Sequence, residues 1–428
     1  MPREVAMISL GCSRNVVDSE KILADYRRRG YEVCSNDKAQ TILLNTCAFT
    51  KEAKQESIDY LLDLIDLKNK GKIKKIFVYG CLVERYRQEL KENFKEVDGF
   101  FGIADFKKQF DACARITPKH SAYLKISEGC ANVCSYCAIP AIKGPLKSRD
   151  VSSILREVEF LEKDGVQELN IIGQDITLFG QDKLGLAPKR LRCSQSAGPL
   201  GALLKKILET SNIPWIRLLY LNPLRVSDEL LSLMSENSRI CPYLDVPLQH
   251  ANDRILKLMN RSIDKKTICS LIKKIRNFLP ESALRTTFIV GFPSETEKEF
   301  QELLDFMKDV SFNRCGAFQF SAEENTRAYS FKNRVSEEII KERYDRLMVL
   351  QKTISERLLK KEVGKVMDVL IDENRQKIDG VAIGRSAKDA PEVDGIVYLK
   401  SKKPLKRGAL VCAKITDSYE YDLCGEVV

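Results

Sequence analysis

With 428 residues, of which 44% are hydrophobic and 30% charged, the chain has the balance of a globular protein of two or three domains. No stretch approaches the roughly 20 uninterrupted apolar residues of a membrane span, and Met1 to Val5 runs into a strand-like segment without an apolar leader. That argues against membrane integration and export, so a cytoplasmic location is expected; the net charge of +10 is compatible with work near nucleic acid or ribosomes without demanding it.

Fourteen cysteines in a reducing compartment point to thiols that are buried, catalytic or metal-bound, and their positions must decide which. Residues 1–118 alternate strand and helix signals: Val5 to Leu10, an amphipathic stretch from Ser19, Thr41 to Leu44, a helix from about Thr50, then Ile76 to Tyr79. This predicts a small α/β unit with a parallel sheet. Its three apolar strands run into Gly11-Cys12, Asn45-Thr46-Cys47 and Gly80-Cys81. Parallel strands align their C-terminal ends along one edge, where such sheets bind ligands, so three thiols distant in sequence can meet there.

Residues 119–335 carry six further strand-then-helix signals, with strands near Tyr123 to Ile126, Glu168 to Ile172, Ile216 to Tyr220, Tyr243 to Val246, Thr286 to Val290 and Gly316 to Phe320. Six βα units predict a partial barrel. Asp182 to Pro199 reads as a long loop inserted after the second of these strands, either a substrate contact or a solvated insertion. A charged helix over 336–361 leads to a tail, 362–428, whose short alternating strands predict a small β-barrel.

Cys130, Cys134 and Cys137 have the spacing CxxxCxxC directly after the first barrel strand, with Tyr136 before the last cysteine. Three thiolates on one short loop can hold three irons of a cubane cluster and leave the fourth iron open. The alternative, structural zinc, usually closes with four ligands, and no fourth Cys or His lies nearby in the sequence. Cys34, Cys113, Cys193, Cys241, Cys269, Cys315, Cys412 and Cys424 show no ligand spacing and are assigned to packing or chance exposure.

The cysteine loop, the Gly-rich strand ends Ile172-Gly173-Gln174-Asp175 and Ile289-Val290-Gly291-Phe292-Pro293-Ser294-Glu295, and their order resemble the radical S-adenosylmethionine (SAM) superfamily. Gly11-Cys12 with Asn15, Asn45-Thr46-Cys47 and Gly80-Cys81-Leu82 narrow the resemblance to its methylthiotransferases, over essentially the whole chain. The resemblance implies two 4Fe-4S clusters, one held by Cys12, Cys47 and Cys81, the other by Cys130, Cys134 and Cys137 and chelating SAM. It implies SAM contacts from Tyr136, Gly173, Gln174, Asp175, Gly291 and Glu295. It also implies the reaction: one SAM gives a methyl group to sulfur at the N-terminal cluster, a second is cleaved to a 5′-deoxyadenosyl radical, and a carbon gains a methylthio group.

Some family members modify an adenosine of transfer RNA; others, the RimO type, modify an aspartate of ribosomal protein S-twelve. Leu244 to His250, Ser321 to Thr326 and Asp389 to Gly395 resemble the latter, and the tail resembles a TRAM domain. Glu323 and Glu324 close the sixth strand, where a carboxylate pair would repel a phosphate backbone and welcome a basic protein loop. They are therefore candidate substrate contacts, with a solvated strand end as the alternative. His250 is another candidate, with a satisfied structural histidine as its alternative. The implied partners are S-twelve, an electron donor such as flavodoxin or ferredoxin, and ribosomal RNA in proximity. A non-catalytic iron-sulfur or zinc protein binding RNA through its tail is the competing reading. Ser13-Arg14 stands where the family commonly has Pro-Lys, Ala131-Asn132-Val133 lacks its polar or basic loop residues, and Asn222-Pro223-Leu224 departs from its Tyr-Pro step.

Overall fold

The computed structural model describes residues 3–103, 114–184, 198–375 and 380–428. Cys113, Cys193 and most of the expected insertion at 182–199 lie outside them.

The first sheet contains β1 (Arg3–Ser9), β2 (Tyr31–Val33), β3 (Thr41–Thr46), β4 (Lys75–Gly80) and β5 (Gly99–Phe101), all parallel in the order β2-β1-β3-β4-β5. Central β3, Thr-Ile-Leu-Leu-Asn-Thr, is buried along its whole length, as a parallel strand covered on both faces must be. The covering helices are α1 (Ser13–Arg28), α2 (Lys51–Asn69) and α3 (Cys81–Asn93). Thr50 starts α2 by accepting from the Ala53 amide. Helix α1 begins at Ser13, six residues before the expected start, because its first turn carries polar residues that face the cysteine edge and do not continue the apolar stripe. The edge strands β2 and β5 were not anticipated; three residues are too few to show alternation.

The second unit contains β6 (Ser121–Lys125), a two-residue pair β7 (Ser127–Glu128) and β8 (Lys147–Ser148), then β9 (Glu168–Ile172), β10 (Trp215–Leu218), β11 (Ile240–Asp245), β12 (Ala283–Val290) and β13 (Arg314–Gln319). The six long strands form one sheet, β13-β12-β11-β10-β9-β6, with parallel pairing throughout. Helices α4 (Ile139–Lys143), α5 (Val151–Lys163), α6 (Gly198–Thr210), α7 (Asp228–Glu236), α8 (Asp253–Leu258), α9 (Lys265–Phe278) and α10 (Glu297–Val310) intervene. One sheet face, including Leu124, Ile171, Leu218, Leu244 and Phe288, makes the main core with Val158, Leu204, Leu231, Ile272 and Phe300. Asp182 accepts from the Ser148 amide at 2.9 Å and its hydroxyl at 2.5 Å, so the chain after β9 begins as a fastened turn.

Helix α11 (Glu337–Leu359) leads to β14 (Val366–Asn374), β15 (Ala382–Ser386), β16 (Val397–Lys400), β17 (Leu410–Ser418) and β18 (Leu423–Val427). They close as a barrel in the order β14-β15-β16-β18-β17, with β16 and β18 parallel and the other pairs antiparallel.

The segment Asp389 to Gly395 plugs the other face of the six-stranded sheet. Ala390 is wholly buried beside Tyr123, Tyr243 and Ala283. Asp389 pairs with Arg314, and Asp394 accepts from the Tyr243 hydroxyl at 2.6 Å. Arg385 spans Glu168 at 2.9 Å and Asp372 at 2.8 Å, while Arg217 reaches the same Glu168 at 2.9 Å. These acids answer arginines of the sheet and are not left for a partner. Among the described residues no helix is long and apolar enough to cross a membrane.

Candidate active site

Cys12 is the N-cap of α1, Cys47 follows β3 and Cys81 opens α3 directly after β4. Asn15, one turn into α1, ties the three loops together. Its amide nitrogen donates to Leu10 O and Thr46 O, both at 3.0 Å, and its Oδ1 lies 3.8 Å from Cys81 Sγ. Asn45 in turn donates to Asn15 O and Ser19 Oγ at 2.9 Å. Gly80 turns the chain between strand and helix at φ 98°; a β-carbon there would stand 2.3 Å from Asn45 Oδ1 and 2.6 Å from Thr46 O.

Burial pushes the Cys81 thiol up to about 12 and raises that of Cys47. Burial acts on Cys12 in the same sense, but Arg14 and Lys143, with the Asn15 amide, carry it below its ordinary range. The three thiols are electrostatically coupled to one another.

The second trio is built on the loop after β7. Ser135 anchors it, its hydroxyl donating to Leu258 O at 2.7 Å and its amide to Met259 O at 3.0 Å, while its carbonyl accepts from the Ala328 amide at 2.7 Å. Burial pushes Cys130 up to about 11 and Cys137 to about 12, each coupled to Cys134. Arg261 lies 4.0 Å from Cys134 Sγ. Among the described residues no three His, Cys, Asp or Glu side chains lie close enough to share one metal ion. A trio of thiols matches the three protein ligands of a cluster that keeps one iron open, whereas structural zinc usually takes four.

The two edges face each other. Ala138 and Ile142, just after Cys137, join Cys81 and Leu82 in one hydrophobic cluster. Asp18 of α1 pairs with both Lys125 of β6 and Lys143 of α4, the latter at 3.0 Å. Arg14 Nη1 donates to Gly173 O at 3.0 Å, and its guanidinium lies 4.4 Å from the centre of the Tyr220 ring.

Several expected contacts are placed differently from one another. Gly173 sits at the end of β9, where a β-carbon would stand 2.8 Å from Ser127 Oγ; that hydroxyl is buried without a partner among the described residues. An orphaned polar atom beside a backbone cradle suits the polar end of a ligand. Gln174 is half-buried beside it. Asp175 is occupied: it pairs with Arg225, accepts from Asn132 Nδ2 at 2.7 Å and caps Thr177 at 3.1 Å. It thus fixes the cysteine loop, through Asn132, to the strand end. Tyr136 packs with Met259, Ile289 and Phe292.

Gly291 has φ 74°, and a β-carbon there would meet Ile340 of α11 at 2.2 Å, so its freedom serves packing. Glu295 accepts from the Gly291 amide and pairs with His250 and Arg343, both at 3.2 Å. His250 is wholly buried and its other nitrogen accepts from the Asn252 amide at 2.9 Å, which leaves neither ring nitrogen for a substrate.

Glu323 is 3% exposed and takes Lys54 at 2.9 Å and Arg85 at 2.8 Å, both from the N-terminal unit. Burial raises its carboxyl, but bonds from Arg85, Lys54 and Ser321 hold it below the usual range. Instead of greeting a basic loop, Glu323 is neutralised within the fold. Glu324 is exposed and accepts from the Tyr86 hydroxyl at 3.0 Å.

Sequence reasoning missed Asn132, Arg225, Arg261, Asp18, Lys125 and Lys143. Asp18 meets Lys125 and Lys143, and Asp175 meets Asn132 and Arg225, across more than forty residues of sequence, and no local spacing marks a buried group whose partner comes from so far along the chain.

Comparison with known proteins agrees with this layout. Residues 4–102 match the uncharacterized protein family UPF0004, residues 124–307 the radical SAM superfamily, and residues 363–428 the TRAM domain. The chain is 41% identical to the ribosomal protein uS12 methylthiotransferase RimO of Thermoanaerobacter sp. (strain X514), over 99% of this chain and 100% of that one. It is 42% identical to that of Pelodictyon phaeoclathratiforme, over 99% and 98%. Among solved structures, the radical SAM methyltransferase TsrM from Kitasatospora setae superposes with a TM-score of 0.52 at 12% identity, covering 74% of this chain and 72% of that one, a likeness of fold.

Proposed function

The chain belongs to the radical SAM methylthiotransferases of the RimO family, and on that footing we propose that it adds a methylthio group to the β-carbon of an aspartate in ribosomal protein S-twelve. The observation that carries the reading is the meeting of two cysteine trios across a seam joined by Asp18, Lys125, Lys143 and Arg14. A reaction that brings sulfur from one site to a carbon activated at another needs both within a few ångströms of each other.

Cys12, Cys47 and Cys81 would hold one 4Fe-4S cluster and Cys130, Cys134 and Cys137 the other. When bound, the clusters and two SAM molecules supply the electron, the radical and the methylated sulfur, which no side chain can provide. The chain's own residues hold the geometry. Asn15 fixes the spacing of the first trio, and Asp175 with Arg225 and Asn132 fixes the second. Gly173 and Ser127 would present a polar cradle to SAM, with Gln174 half-buried beside it. Glu324, exposed after the sixth strand, remains the candidate contact for a basic loop.

Residues 1–118 form the unit of the first cluster, 119–335 the SAM barrel, 336–361 the connecting helix and 362–428 the TRAM-like barrel. The protein works in the cytoplasm beside ribosomal RNA, reduced by a flavodoxin or ferredoxin. Anaerobic reconstitution, incubation with SAM, reductant and either S-twelve or transfer RNA, and mass analysis of both tests the reading. A methylthio increment on the S-twelve aspartate supports it; modified adenosine with unmodified S-twelve refutes it.

A further inference from the structure

Arg14 is a cation at the seam without an acid. Other buried cations are paired with acids: Lys125 and Lys143 with Asp18, Arg225 with Asp175, Arg85 with Glu323, and Arg285 with Asp394 at 3.8 Å. Arg14 has no carboxylate within ion-pair distance among the described residues. One terminal nitrogen donates to Gly173 O, one flat face lies on Tyr220, and its Nε is buried with no partner. An arginine held in this way keeps Nε and its second terminal nitrogen as a fork, the edge that a carboxylate takes with two parallel hydrogen bonds. Arg14 shares its charge with Cys12, whose thiol it lowers, but its Nε keeps no partner, so the fork suits an anion that arrives with a ligand.

Its support is purpose-built. Tyr220 stands at φ 65°, a left-handed conformation that costs a tyrosine free energy. Asp245 Oδ2 accepts from its amide at 2.9 Å, and its hydroxyl lies 3.3 Å from Ser13 Oγ. The ring is thereby held beneath the guanidinium. The fork lies two residues from Cys12, at the end of β9, in the gap between the cysteine trios.

We propose that Arg14 binds the side-chain carboxylate of the substrate aspartate, selecting that residue and fixing which carbon faces the barrel site. This rests on the aspartate-substrate reading, in which the carboxylate is bonded directly to the carbon that reacts. Once that carbon lies between the two sites, its carboxylate lies beside them, where Arg14 waits.

The test uses the full chain, reconstituted anaerobically, and an S-twelve loop peptide carrying Asp or, at the same position, Asn. Binding is followed by fluorescence anisotropy, with iron content and electron paramagnetic resonance of both clusters as controls. Wild type should prefer Asp by roughly 10- to 100-fold. Arg14→Gln should bring the ratio close to one with the iron of both clusters retained, any shift being confined to the signal of the first cluster because Arg14 also lowers Cys12, and Arg14→Lys, which keeps charge but loses the fork, should fall between. An Asp preference unchanged in either variant overturns the proposal, and altered cluster signals with that preference intact would make Arg14 a counter-charge for the cluster instead. If wild type binds neither peptide and modifies transfer RNA, the substrate reading fails in the wild-type arm alone and the inference falls with it.

Discussion

Arg85 Nη1 stands 2.8 Å from Glu323 Oε2, and this pair joins the helix that opens with Cys81 to the loop after the sixth barrel strand. The same nitrogen donates to Ala48 O at 2.7 Å, one residue past Cys47, so a single guanidinium touches two cluster loops and the barrel. Glu323→Gln leaves two cations facing a neutral amide and should lower stability by about 3 kcal/mol. It should also raise the ratio of 5′-deoxyadenosine formed to methylthio product, because the N-terminal unit is no longer held in register. A variant with wild-type denaturation midpoint and wild-type coupling would show that the pair positions nothing.

Cluster stoichiometry divides the cysteines. Wild-type protein should hold about eight irons after reconstitution. Cys130, Cys134 and Cys137 changed together to Ala should remove about half of them and abolish SAM cleavage, while the Cys12, Cys47 and Cys81 triple variant should lose the other half and still cleave SAM. Stoichiometric zinc, or no more than about four irons in wild type, counts against two clusters.

Gly80→Ala puts a β-carbon within 2.6 Å of the Thr46 carbonyl at a backbone angle that alanine resists. Neither backbone can yield without moving Cys47 or Cys81. We expect a loss of at least about 2 kcal/mol in urea denaturation and selective loss of iron from the first trio, with the barrel cluster retained. Equal loss from both sites would mean that the glycine serves general folding.

Glu168, buried between Arg217 and Arg385, is drawn down to about 2: burial raises its carboxyl, but the two arginines overcome it. A carboxyl lower in the folded state than its usual 4.5 stabilises the fold above that value, and the gain disappears as pH falls toward 2. The Glu168→Gln variant should therefore be less stable than wild type by roughly 3 kcal/mol at pH 7, the gap narrowing below pH ~4.5. Denaturation curves at pH 7 and pH 3.5 check this, and a gap that does not change with pH would remove the ionic explanation.

Both cysteine trios, the six long barrel strands and the closed tail were legible in the sequence because each leaves a local mark: a short spacing, an apolar run, an alternation. The roles of acidic residues were not. Glu323 and His250 read as candidate contacts for a partner, and nothing in the segment of Asp389 tells which cation it meets. Lys54, Arg314 and Glu295 meet Glu323, Asp389 and His250 from 269, 75 and 45 residues away. Net charge along a segment says how it would meet a stranger; burial against a distant segment decides that it never does.

The plug formed by Asp389, Ala390 and Asp394 makes the C-terminal barrel a floor under the SAM domain, with its own side chains completing the interior. Exchanging that barrel for another of the same fold would leave Arg314, Arg285 and Tyr243 facing a surface that does not answer them. A working chimera would have to carry residues 387–394 across the junction, so the natural cut between modules runs through the loop that enters the sheet, and the linker helix is the wrong place to divide the protein.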